Sequence, residues 1–188
     1  MKQAAYVLTT RWQIEAPLDA VWESILHSER WPRWWPGLRE VVELKPGDER
    51  RVGCVRRFVW KGRLPYTLTV EMAITHVEPP TLLESEASGE LMGRGIWRLS
   101  PSADGTAVRY DWCVSTTKRW MNWLAPVARP VFRWNHDVVM RNGARGLKRL
   151  MNRRGDPLQE GLLEHPDGQN AEQECGQHHS RDAVDADR

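Results

Sequence analysis

Apolar residues in this chain recur at every second position through most of its length, then change to helical spacing from Val131 to Asn152. That succession leaves few ways to bury apolar surface. The strands must pair with one another, and one long amphipathic helix must cover the face they create. In the first segment Tyr6, Leu8, Trp12 and Ile14 share one parity, while Thr9, Arg11, Gln13 and Glu15 take the other. Strand patterns follow at Leu38 to Leu44, Val52 to Trp60, Tyr66 to Val77, Leu82 to Ala87, Gly95 to Leu99 and Val108 to Thr116. The breaks carry turn residues, among them Pro46-Gly47-Asp48, Lys61-Gly62, Pro79-Pro80 and Ala103-Asp104-Gly105. Connections this short predict an antiparallel meander.

Two short helical segments interrupt the strands after the first. Ala16-Pro17-Leu18-Asp19 supplies a start signal, and Leu18, Val21, Trp22, Ile25 and Leu26 repeat at helical spacing as far as about Ser28. Trp31-Pro32-Arg33-Trp34-Trp35-Pro36-Gly37 then allows at most a single turn, because its prolines force the chain out of helical geometry. In the last helix, broken early by Pro126 and Pro130, the residues Phe132, His136, Val139, Gly143, Leu147 and Leu150 fall within about 80° of one another, at 100° per residue. Arg133, Asp137, Arg141, Arg145, Arg149 and Arg153 wind round the opposite side. The expected fold is α+β: a curved antiparallel sheet of about seven strands wrapped round a long C-terminal helix. Gly143 and Gly146 near its contact face have two readings, close packing on the sheet or a gap kept open for a ligand.

A chain of 188 residues with 40% hydrophobic content fits one ordinary domain, read as residues 1–154. Residues 155–188 hold nine acids, two arginines and no aromatic residue, and are read as a disordered acidic tail. The basic excess lies in residues 118–154, with ten Lys/Arg against Asp137 alone. No stretch reaches the ~20 apolar residues of a membrane span, and the first 17 residues lack an apolar signal core, so a cytosolic protein is expected. Three widely spaced cysteines, Cys54, Cys113 and Cys175, exclude a disulfide framework or a four-cysteine zinc site. Cys175 with His178 and His179 has no fixed geometry and is not read as a metal site. No phosphate loop, nucleophile elbow or zinc-hydrolase helix occurs, so no cofactor is expected.

Ile14-Glu15-Ala16-Pro17 with Val21-Trp22, the run Trp31 to Pro36, the meander, and the final helix with Trp134-Asn135-His136-Asp137 and Leu147 together resemble the START-like (SRPBCC) helix-grip superfamily. The resemblance covers about residues 5 to 152. It is closest to the bacterial polyketide cyclase/dehydrase and lipid-transport branch. It implies an elongated cavity between curved sheet and long helix that accepts hydrophobic molecules.

The candidate lining is aromatic. Phe58, Trp60, Tyr66, Trp97, Tyr110 and Trp112 fall on predicted inner faces, with Trp34 and Trp35 near the expected mouth. Eleven Trp against two Phe and three Tyr make this the strongest functional feature, since indole and phenol rings combine apolar area with one polar handle. Asn135, His136, Val139 and Gly143 are the candidates on the helix. If the domain is an enzyme, His136, Tyr66 and Arg57 are the catalytic candidates, as a base near working pH, a phenol and an oxyanion partner. Arg56 and Arg57 occupy opposite faces, and Phe58 and Trp60 share parity with Arg56, so which arginine faces inward stays open. Glu71 and Asp111 read as solvent-side charges.

Segment 118–134 mixes cations with Trp120, Trp123 and Trp134, a composition that suits a cover over the cavity mouth or a membrane interface. No nucleic-acid-binding motif accompanies it, so no nucleic-acid partner is expected. The expected function is binding of a small hydrophobic, aromatic, polyketide-like or lipid-like molecule. The alternatives are a polyketide cyclase or aromatase using the same cavity, and a peripheral lipid-transfer protein.

Overall fold

The computed structural model describes residues 5–61, 67–116 and 125–154. Strand β1 (Ala5–Ile14) leads into helix α1 (Leu18–Leu26) and a 3-10 segment, Ser28–Arg33. Strands β2 (Leu38–Lys45), β3 (Val55–Trp60), β4 (Leu68–Glu78), β5 (Leu82–Gly89), β6 (Leu91–Ser102) and β7 (Gly105–Thr116) follow, and helix α2 (Ala125–Arg154) closes the chain. The sheet is antiparallel throughout, in the order β1-β7-β6-β5-β4-β3-β2. The first and last strands of the meander therefore meet, and both the α+β architecture expected from the patterns and the helix-grip arrangement implied by the resemblance are present. The tail at 155–188 lies outside the described residues.

Period two fixes which residues share the concave face. Leu8 pairs with Trp112, Trp112 with Gly95 and Gly95 with Ser85, so one row crosses four strands on the inner side. Gly95 is needed there, because a Cβ would stand 2.6 Å from the Tyr110 hydroxyl and 2.9 Å from the Trp112 ring. In β4 the parity Leu68, Val70, Met72, Ile74 holds until a register shift between Ile74 and His76, after which Val77 takes the buried side.

The C-terminal helix extends further toward its start than the proline argument allows. Pro130 sits inside α2, which runs 30 residues and thus about 45 Å. Its inner face buries Met140, Leu147 and Met151, with Leu147 fully enclosed, while Arg133, Arg141, Arg145, Arg149 and Arg153 are exposed. Full burial of a leucine contributes about 1.5–3 kcal/mol.

The tryptophan-rich turn is the latch between the first helix and the last. The Trp31 indole N–H donates to the Ser24 carbonyl of α1 at 2.8 Å, and the Trp35 indole N–H donates to the Val139 carbonyl of α2 at 2.9 Å. Gly143 and Gly146 are packing devices. A Cβ on Gly143 would collide with the Trp35 ring, and one on Gly146 with the Trp34 carbonyl oxygen. Of the two readings of these glycines, the structure realises close approach.

Candidate functional site

A cavity of about 180 Å³ lies between the concave sheet face and α2. Its sheet wall carries Phe58, Trp60, Leu68, Val70 and Met72 on one side and Trp97, Tyr110, Trp112 and Val114 on the other. Trp31 and Trp35 close it from the 3-10 turn, and Phe132, Asn135, His136, Val139 and Met140 descend from α2. The rings brace each other. Trp97 stacks on Tyr110 with centroids 4.1 Å apart, Tyr110 on Trp112 at 5.7 Å, and Trp35 meets Trp60 edge-on at 5.3 Å. Such pairs add about 0.5–1.5 kcal/mol each beyond burial, so the wall is stiff. Burial pushes the Tyr110 hydroxyl well above its ordinary pKa, which keeps it a neutral phenol.

The structure brings most of the anticipated lining together and leaves some of it out. Trp35, Phe58, Trp60, Trp97, Tyr110, Trp112, Asn135, His136 and Val139 all border the hollow. Trp34 does not; it stacks on the far side of Trp35, 5.3 Å between centroids. Gly143 is likewise displaced from the cavity by the Trp35 ring it packs under. Tyr66 lies outside the described residues, as do residues 118–124 with Trp120 and Trp123. The rest of that segment forms the opening turns of α2, where Val131 and Trp134 are 41% and 45% exposed.

The choice between Arg56 and Arg57 that alternation leaves open is made by the structure, and it does not put the conditional catalytic candidate Arg57 in the cavity. Arg57 points to the convex face and pairs with Glu71 at 2.8 Å, which is also where Glu71 was expected. Asp111 stands on the same outer side, bonded to Thr9 and paired with Arg98 and Arg109. The inward residue is Arg56, 2% exposed, at the closed end of the cavity beside Ser28 and Cys54. Its Nη1 donates to the Leu26 carbonyl at 3.0 Å and to Ser28 Oγ at 2.9 Å. Its Nε and Nη2 reach Glu43 Oε2 at 3.2 and 3.0 Å, and Nη2 also lies 3.0 Å from Glu29 Oε2. Burial works to raise the Glu29 pKa, but a backbone hydrogen bond, His27 at 2.8 Å and the Arg56 charge outweigh it and hold the carboxyl below its ordinary value. Cys54 shifts upward through burial and stays a thiol.

On α2 the polar groups are in the opposite condition. Asn135 Oδ1 and both ring nitrogens of His136 are buried with no hydrogen-bond partner among the described residues. Asp137 Oδ1 stands 3.7 Å from His136 Nδ1, too far for a hydrogen bond. Desolvation lowers the His136 pKa below its ordinary 6.5 and outweighs the pull of Asp137, so the ring is neutral at physiological pH. Another unpaired donor, Trp12 Nε1, sits away from the cavity among the rings of Trp35 and Trp97, centroids 5.5 and 5.4 Å away.

Sequence reasoning did not single out Trp31, Leu8, Ser28, Cys54, Ser85, Phe132 or Met140 as lining. For Trp31 the signal was available in the indole cluster. Cys54 shares the parity of Phe58 and Trp60 in the pattern from Val52 to Trp60, so alternation could have found it, whereas Ser28 lies at a helix end where periodicity is silent.

No helix of the described residues is long and apolar enough to cross a membrane, and no cluster among them could hold a metal ion. No curated protein matches the sequence. Among solved structures, the di-domain ARO/CYC BexL from the BE-7585A biosynthetic pathway is similar at 16% identity and a TM-score of 0.65, over 78% of this chain and 50% of that one. This chain thus spans about half the length of the di-domain proteins it matches. The Zhui aromatase/cyclase from Streptomyces sp. R1128 is similar at 14% identity and a TM-score of 0.61, over 84% of this chain and 98% of that one. A START superfamily protein from Mycobacterium smegmatis gives 12% identity and a TM-score of 0.63, over 80% and 98% of the two chains. These likenesses establish the fold. The family profile described as polyketide cyclase/dehydrase and lipid transport matches residues 7–152, nearly all of the folded part, and the chain belongs to that family.

Proposed function

We propose that this domain binds a small, ring-bearing hydrophobic molecule between its sheet and α2. The observation that carries this reading is the hollow itself: about 180 Å³, walled by rings and aliphatic side chains, where well-packed interiors leave few voids larger than a water molecule. An apolar cavity of about 150 Å³ suffices for benzene, so a single substituted ring is a matching guest. Burying such a ring contributes about 25 cal/mol per Å² of apolar surface. Native mass spectrometry of the protein purified without denaturant, together with thermal melts in p-xylene and related rings, tests it. At a hundredfold excess over Kd a ligand stabilises by about 2.7 kcal/mol, and a chain that melts unchanged in every such compound would sink the proposal.

A second reading is favoured by the neutral, unpaired imidazole of His136 in the same wall. A base so placed is suited to moving a proton on an enolisable carbonyl, as the family description admits. That reading requires room for a polyketide-like substrate beyond 180 Å³, which ranks it second. Turnover that vanishes in His136→Leu while ligand binding survives would raise it above simple binding.

A further inference from the structure

The cavity sorts its polar groups into those already engaged and those left open. Each guanidinium nitrogen of Arg56 lies within 3.2 Å of a protein oxygen, and the two carboxylates of Glu29 and Glu43 balance its charge. Ser85 Oγ donates to the Gly95 carbonyl at 3.4 Å. Among the described lining residues, then, no unpaired cation is available to a ligand anion. The fully buried polar side-chain atoms of the lining that lack a hydrogen bond are Asn135 Oδ1 and the two nitrogens of His136. A buried polar atom left without a partner costs about 1–3 kcal/mol, so three of them bordering one hollow mark where a guest's polar group belongs.

Their chemistry restricts what that group is. A neutral imidazole offers one N–H and one lone pair, and a carboxamide oxygen only accepts. A hydrocarbon ring satisfies none of them. A carboxylate, which only accepts, can take the ring N–H but leaves the ring lone pair and the carboxamide oxygen unpaired, and it loses its own hydration in an apolar hollow that offers it no free cation. A hydroxyl donates and accepts, and it fits whichever way the carboxamide is turned and whichever ring nitrogen carries the proton. Resting on the binding role proposed above, we infer that the ligand class is a neutral, hydroxyl-bearing ring, a phenol or cyclic alcohol, seated with its oxygen at Asn135 and His136 and its ring against the tryptophan wall. Arg56 is a structural brace in this arrangement and takes no part in holding the ligand.

The test compares p-xylene, p-cresol and p-toluate, which share one ring and one methyl group and differ in a methyl, a hydroxyl or a carboxylate. Binding is read at pH 7.5 by tryptophan fluorescence and calorimetry. Water holds the cresol hydroxyl, so a purely apolar pocket would favour p-xylene. The inference expects p-cresol to bind at least as tightly as p-xylene and tenfold or more tighter than p-toluate. In Asn135→Leu and His136→Leu the ratio of p-cresol to p-xylene affinity should fall by tenfold or more while p-xylene binding persists. Tightest binding of p-toluate, a clear preference for p-xylene, or an unchanged ratio in both variants would overturn it, and the wild-type comparison decides even if a variant fails to fold. A clear preference for p-xylene over p-cresol defeats this inference alone, whereas no binding of any of the three defeats the binding role with it.

Discussion

Arg56 and His136 both border the same apolar hollow, yet one is saturated with hydrogen-bond partners and the other makes no hydrogen bond among the described residues and has only Asp137 nearby, at 3.7 Å. Arg56 is held by side chains or carbonyls from α1, the 3-10 segment and β2, so it ties three elements together through one buried charge. On α2, by contrast, neither Asn135 Oδ1 nor either ring nitrogen of His136 finds a hydrogen-bond partner among the described residues. The contrast separates polar groups that build the fold from those that await something else. It also turns a sequence-level choice between two adjacent arginines into a functional statement, because the inward arginine is consumed by structure.

The largest expected effect follows from breaking the saturated end. Arg56→Met takes from Glu29 and Glu43 the buried cation they share, leaving Glu43 with Arg51 at 3.4 Å and Glu29 with His27 at 2.8 Å. Because both carboxylates are about a third exposed, the loss should fall below the ~3–5 kcal/mol of a fully buried pair while staying the largest of the series. Urea unfolding should register that loss, while His136→Leu, which removes only unpaired groups, should leave stability at pH 7.5 unchanged or raised. Equal losses in the two variants would erase the distinction between the walls.

Next comes the seam that sets the spacing of α2. Gly146→Ala aims its new Cβ at the Trp34 backbone carbonyl, and Gly143→Ala aims at the edge of the Trp35 indole. Overpacking costs about 1–3 kcal/mol, against up to ~1 kcal/mol gained by replacing glycine inside a helix. Gly146→Ala should be the more harmful, since a backbone carbonyl yields less than a ring. If both variants gain stability, α2 does not press on the tryptophan turn, and the cavity would lose its fixed depth. Smaller still is the change at the neighbouring arginine. Arg57→Ala breaks an exposed pair with Glu71 and should cost no more than about 1 kcal/mol by the same urea assay, against a larger loss for Arg56.

The fold was legible because period two and period 3.6 are written in the core residues themselves. Tyr110, Trp112, Leu68, Val70 and Met72 sit where parity puts them, and Phe132, His136, Val139 and Leu147 share the α2 face that the helical wheel assigns. The site was legible only in part. Alternation places Phe58, Trp60 and Arg56 on one face, but nothing in a strand pattern tells that Glu29 and Glu43, far apart in sequence, converge to neutralise an inward arginine. Trp34 and Trp35 are adjacent and chemically identical, and only the turn after Ser28–Arg33 decides that Trp35 borders the cavity while Trp34 backs it. Pro130 within α2 shows the limit of a local breaker rule when the rest of a helix is anchored by packing.

The open wall has a pH signature that the saturated wall lacks. In the folded chain His136 has a pKa below 6.5, whereas in the unfolded chain it titrates near that value, so between the two the unfolded state binds more protons. The stability contributed by keeping this ring neutral is therefore complete above pH 6.5 and declines as pH falls through the interval down to the folded pKa. Asp137, 3.7 Å away on the same helix, moderates the decline by favouring the imidazolium. Across the cavity Tyr110 and Cys54 are shifted upward, so neither titrates in that interval. His136→Leu should accordingly match the wild type above pH 7 and lose less stability than it between pH 6.5 and 5, measured by urea midpoints. Parallel curves for the two proteins would mean that His136 finds a partner in solution, and the open wall would then be closed by the protein's own residues.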